Sequence, residues 1–89
     1  MKITKIILDD EFLEEFDRLP QTIQDRVVKM KKLLLENPMY PSLRLHKLSG
    51  PLYGLWSIRI NRQYRLLFEP LENGDVLFVS VGTHAIYDD

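Results

Sequence analysis

The chain has no cysteine, two histidines and one tryptophan among its 89 residues, and each scarcity removes a class of answer. Without thiols there is neither a disulfide framework nor a thiolate metal site, which fits a reducing cytoplasm. Two histidines alone are a poor basis for zinc, so no metal and no cofactor is expected. Apolar runs such as Ile6–Leu8 and Leu33–Leu35 fall far short of a membrane span. Met1-Lys2-Ile3-Thr4-Lys5 leads into no apolar signal region, so the protein is expected to be soluble, unexported and cytoplasmic. The most informative absence is of acid: no Asp or Glu occurs between Asn37 and Phe68, where Arg44, Lys47, Arg59, Arg62 and Arg65 all lie.

Set against a net charge of −1, that stretch means the charge is segregated. Asp9, Asp10, Glu11, Glu14, Glu15 and Asp17 crowd one early segment, where the bland explanation is that acids favour the first turns of a helix. The cationic stretch calls for an anionic partner. The length predicts one domain over residues 1–89, near the lower limit for a self-sufficient core. A hydrophobic fraction of 45% and a charged fraction of 28% are ordinary for a folded soluble domain.

Lys2–Leu8 is rich in β-formers and reads as a first strand, with Ile3 and Ile7 on one face. Asp9 or Asp10 then caps a short helix with Phe12, Leu13, Phe16 and Leu19 at helical spacing. Pro20 opens a longer helix in which Ile23, Val27, Met30 and Leu34 recur on one side, and Asn37-Pro38 stops it. So short a joint makes the two helices an antiparallel hairpin. Asn37–Ser42, with two prolines, reads as an extended connection and Ser49–Gly54 as a loop.

Leu55–Ile60 reads as a strand with Trp56, Ile58 and Ile60 on one face and Ser57 with Arg59 on the other. After a turn at Asn61-Arg62-Gln63, Tyr64, Leu66 and Phe68 point inward and Arg65 and Leu67 outward. A second turn at Glu72–Asp75 leads to a last strand, Val76–Gly82, whose expected core set is Leu77, Val79 and Val81. The expectation is an α+β fold: a two-helix hairpin on one face of a mainly antiparallel four-stranded sheet, in the order β-α-α-β-β-β. Its uncovered face holds Arg59 and Arg65, followed by His84.

Two arginines converging on one sheet face can hold a phosphate, because a guanidinium presents a fixed fork of donors. Charge that develops during phosphoryl transfer is stabilised further. The bland alternative, surface ion pairs with Glu69 or Asp75, contributes little. A lone histidine is more often an unremarkable surface group. Beside phosphate-binding arginines, His84 and His46 instead have the parts for general acid–base catalysis.

The pieces Leu48-Ser49-Gly50, Gly54-Leu55-Trp56-Ser57-Ile58-Arg59-Ile60, Tyr64-Arg65-Leu66-Leu67-Phe68 and Gly82-Thr83-His84, in that order, resemble the RelE/ParE superfamily of bacterial type II toxins. The Leu19-Pro20 and Glu36-Asn37-Pro38 helix boundaries resemble it too, and the likeness runs over essentially the whole chain. The resemblance implies an mRNA interferase, a ribonuclease that cleaves mRNA in the ribosomal A site without a metal. It implies catalytic roles for His84, Arg65 and His46, with Arg59, Lys47, Arg44 and Tyr87 contacting RNA. It also implies a cognate antitoxin that masks the arginines.

This chain departs from the superfamily pattern in three places. The upstream glutamate of one branch has no counterpart, Ser57 stands where RelE has a lysine, and Tyr87 follows the histidine by three positions where four is usual. Two other readings stay open: a ParE-type poison of DNA gyrase that cuts nothing, and an inactive scaffold that binds an antitoxin.

Overall fold

The computed structural model describes residues 1–83. Strand β1 (Lys5–Leu8) is followed by helices α1 (Asp10–Asp17) and α2 (Gln21–Glu36), then β2 (His46–Lys47), β3 (Trp56–Arg59), β4 (Tyr64–Pro70) and β5 (Asp75–Thr83). The sheet order is β1-β5-β4-β3-β2. β1 runs parallel to β5, and every other pair is antiparallel. The sheet thus has five strands where four were expected. The extra one is the two-residue β2, too short to carry a periodic signal, which pairs His46 with Ser57 and Lys47 with Trp56.

Local chemistry sets the helix ends. Asp9 is extended and its carboxylate accepts from the Glu11 N–H at 3.3 Å, while Asp10 and Glu11 place negative charge in the first turn. The Pro20 carbonyl accepts from the Ile23 and Gln24 N–H groups, which opens α2. Gln24 Nε2 donates back to the Phe16 carbonyl at 2.9 Å and fixes the elbow between the helices. Asn37 ends α2 in an extended conformation. The connection expected to be extended is instead two turns: Asn37 Oδ1 accepts from the Met39 N–H, and a 3₁₀ turn at Pro41–Leu43 drops Leu43 into the core, fully buried.

The α2 stripe packs as its spacing predicts, with Val27, Met30 and Leu34 buried and Ile23 against them. In α1, Phe12 and Phe16 face inward but Leu13 stays 38% exposed. In β1 the inward residue is Ile6; Ile3 is buried just ahead of the strand, and Ile7 faces outward.

The last strand departs most from its expected pattern. Leu67 pairs with Ser80 but Phe68 pairs with Phe78, so Val79 is an extra residue opposite that step. A bulge of this kind reverses the alternation. Val76 and Phe78 are therefore core residues below it and Val81 above it, whereas Leu77 and Val79 are not. Phe78 meets Phe12 edge-on at 5.4 Å and Phe68 at 6.4 Å between ring centroids.

Hydrogen bonds from Thr4 and to Glu15 close the β1 side of the sheet. Thr4 Oγ1 donates toward the Asn73 carbonyl and Asp75 Oδ1, both at 3.0 Å, and the Thr4 N–H donates to the Gly74 carbonyl. Gly74, at φ +84°, lies so near that an added Cβ would meet the Lys2 carbonyl at 3.0 Å. Further along β5, past the end of β1, the Val81 N–H donates to Glu15 Oε1 at 3.1 Å. The α1 carboxylate thus replaces the strand partner that β1 is too short to supply.

Candidate active site

At the opposite side, the β3–β4 hairpin gathers the cations. Arg59 and Arg65 are cross-strand partners, and Gly82 lies beside Arg65 on β5. The turn between them is shaped by Asn61, whose Oδ1 accepts from the Gln63 and Tyr64 N–H groups at 2.9 and 2.8 Å. That leaves the Asn61 carbonyl free for side chains. It accepts from Arg65 Nη1 at 2.7 Å and Arg59 Nε at 3.3 Å, so both guanidinium groups converge on one oxygen. Arg65 Nη1 also reaches the Tyr64 and Arg62 carbonyls.

Three more arginines close around Arg59. Arg26 crosses from α2, its Nε donating to the Ile60 carbonyl at 2.8 Å. Arg44 follows the 3₁₀ turn in the left-handed conformation at φ 46°, and Arg62 caps the hairpin. Arg26, Arg44, Arg59 and Arg62 line an open pocket of about 450 Å³, together with Ser42 and Asn61. Partial burial, then the charges of Arg44, Arg65, Arg62 and Arg26 in decreasing order, hold the Arg59 pKa below its ordinary value. Among the described residues no carboxylate forms an ion pair with any of these five arginines; the ion pair seen is Lys5–Asp75 at 3.9 Å, on the far side of the sheet.

A left-handed arginine is strained, and such backbone outliers concentrate where geometry is tied to function. Arg26 is a pocket residue that the sequence did not bring into the candidate site. Its signal was present: it lies three residues after Ile23 and four before Met30, beside the buried stripe.

The remaining candidates divide between the faces. His46 is exposed and pairs with Ser57, which shares the Arg59 face two residues away. Lys47, paired with Trp56, belongs to the helix-covered side of the sheet, with its ammonium 5.9 Å from the Trp56 ring centre. It is therefore separated from the other cations. The arginine face is not bare throughout, for Ser57 and Leu67 at its centre are buried. His84 and Tyr87 lie outside the described residues; the last described residue, Thr83, pairs with Tyr64. Among the described residues no group of three or more His, Cys, Asp or Glu side chains is placed to hold a metal ion, and no helix is long and apolar enough to cross a membrane.

Helix hairpin and sheet together have the fold of the small bacterial toxins. A YoeB/ParE toxin from Agrobacterium tumefaciens superposes with a TM-score of 0.77 at 15% identity, covering 91% of this chain and 99% of the other. YafQ from E. coli gives 0.76 at 18% identity, with 94% and 97% covered. The toxin–antitoxin complex RelBE2 from Mycobacterium tuberculosis gives 0.74 at 22% identity, with 90% and 96% covered. No curated protein sequence matches the chain. Residues 10–84 match the profile of the HigB-like toxins, described as RelE-like toxins of the type II toxin–antitoxin system HigB. The chain belongs to that family.

Proposed function

We propose that this toxin is a ribosome-dependent mRNA endoribonuclease that inhibits translation and is neutralised by a cognate antitoxin. The observation that carries the reading is the convergence of Arg59 and Arg65 on the Asn61 carbonyl, with His46 on the same sheet face. Two guanidinium groups fixed by main-chain oxygens need little reorganisation when negative charge develops between them, the condition for strong transition-state stabilisation.

RNA supplies its own nucleophile. A histidine takes the proton of the 2′-hydroxyl, which attacks the adjacent phosphorus. A second proton donor protonates the departing 5′-oxygen, leaving a 2′,3′-cyclic phosphate and a free 5′-hydroxyl. Arg65, with Arg59, stabilises the phosphorane-like charge. His84 and His46 are the proton carriers, and Arg44 and Tyr87 contact RNA. The route requires no cofactor. The related solved structures of RelBE2 and of DinJ–YafQ from E. coli are complexes with antitoxins, which supports the same kind of partner here.

The test is primer extension on a defined mRNA after brief induction without antitoxin, beside His84→Ala. New 5′ ends at codon-phased positions that vanish in the variant are expected. Growth arrest with intact mRNA would overturn the reading in favour of a gyrase poison, and normal growth with intact mRNA would indicate an inactive scaffold.

A further inference from the structure

The pocket beside the hairpin is larger than one scissile phosphate requires, and it does not include Arg65. Its four arginines come from separated segments: Arg26 from α2, Arg44 from the turn before β2, Arg59 from β3 and Arg62 from the hairpin. Two are anchored through Nε to main-chain carbonyls, Arg26 to Ile60 and Arg59 to Asn61. Among the described residues their terminal nitrogens have no hydrogen-bond partner, which leaves those donors to an anion in the pocket they line. Ser42 adds a hydroxyl at the rim. Like charges gathered from four segments of the chain repel, so the arrangement costs stability until an anion neutralises it. An anion with several oxygens spread in different directions fits that donor set best, because each guanidinium can engage a separate pair.

We propose that Arg26, Arg44, Arg59 and Arg62 form a second phosphate site that grips a non-scissile backbone phosphate of the RNA, next to the scissile one at Arg65. The site rests on the ribonuclease reading above for its ligand, but not for its existence. Arg59 links the two positions, since it lines the pocket and shares the Asn61 carbonyl with Arg65. Arg26 is then an RNA-positioning residue contributed by a helix, and Arg62, at the turn, is a second one. Their removal should weaken binding of RNA rather than the bond-breaking step.

The first arm uses inorganic phosphate on the intact protein, followed by NMR of the arginine Nε–Hε signals. Signals of Arg26, Arg59 and Arg62 should move together and saturate, and chloride at equal ionic strength should not move them. If phosphate leaves the Arg26 and Arg62 signals in place, the site does not exist.

The second arm measures binding of a short RNA made uncleavable by a 2′-O-methyl group, to wild type, Arg26→Gln and Arg62→Ala. Each variant should bind roughly tenfold more weakly, and the slope of log affinity against log salt should fall by about 0.7 per lost contact. Arg62→Ala leaves the Arg26–Ile60 anchor intact, so it decides the matter should Arg26→Gln fold poorly. Loss of binding to the free oligonucleotide identifies an mRNA phosphate. Loss only in co-sedimentation with ribosomes identifies a ribosomal RNA phosphate at the same site. Wild-type behaviour of both variants in both assays overturns the proposal. A phosphate-responsive pocket in a protein that never cleaves mRNA would instead sink the ribonuclease reading and leave the anion site standing.

Discussion

The two sides of the sheet treat charge in opposite ways. On the β1–β5 side charged and polar groups meet complements: Lys5 faces Asp75, Thr4 bridges Asn73 and Asp75, and Glu15 accepts from the Val81 N–H. On the β3–β4 side five arginines gather, and the partners described for Arg26, Arg59 and Arg65 are main-chain carbonyls. Polar groups that serve the fold come in matched pairs, because a buried unpaired group costs stability. A cluster of one sign that no described carboxylate neutralises is suited to an anionic partner. On the proposed reading, this contrast separates charge that serves the fold from charge that serves the activity.

Breaking the structural side should have the largest effect on stability. Phe78 lies beneath α1 against Phe12 and Phe68, so Phe78→Ala should cost about 3–5 kcal/mol in urea unfolding. Val79→Ala, at the bulge, should cost less than about 1 kcal/mol. Equal losses at the two positions would contradict the bulged register. Next comes Glu15→Ala, which leaves the Val81 N–H without its acceptor. A loss of about 1–3 kcal/mol is expected, and an unchanged urea midpoint would mean that water takes over that bond.

The arginine side should respond with the opposite sign. Arg59 has its pKa lowered by folding, so its charged form is disfavoured in the native state. That penalty is fully present at every pH below the lowered pKa and is relieved only as the pH rises through it. Removing a neighbouring charge by Arg44→Gln should therefore raise the melting temperature modestly at neutral pH. The gain should shrink as salt is added. A lower melting temperature would show that Arg44 is held by attractive contacts and that the contrast between the two sides is false.

The sequence made legible whatever periodicity encodes. The α2 stripe Ile23, Val27, Met30 and Leu34, the Asp9 cap and the pairing of Arg59 with Arg65 all follow from spacing and from one turn. The β5 core was misread because one extra residue, Val79, reverses a pattern that has no other outward sign. β2 was missed because two residues cannot display alternation, and with it went the separation of Lys47 from His46 across the sheet. Arg26 was overlooked because its Cα belongs to a helix while its side chain reaches the carbonyl of a strand residue 34 positions later. Contacts of that kind depend on packing, which local pattern does not contain. The roles of His84 and Tyr87 remain expectations of the sequence and its family resemblance, as both lie outside the described residues.

The most direct test of the central claim is single-turnover cleavage of mRNA on programmed ribosomes by wild type and by Arg65→Ala, with folding of both confirmed by circular dichroism. If the convergent arginines stabilise charge at the scissile phosphate, Arg65→Ala should cleave roughly 10²–10³-fold more slowly at saturating ribosome concentration. Cleavage by a folded Arg65→Ala protein at the wild-type rate would contradict the account.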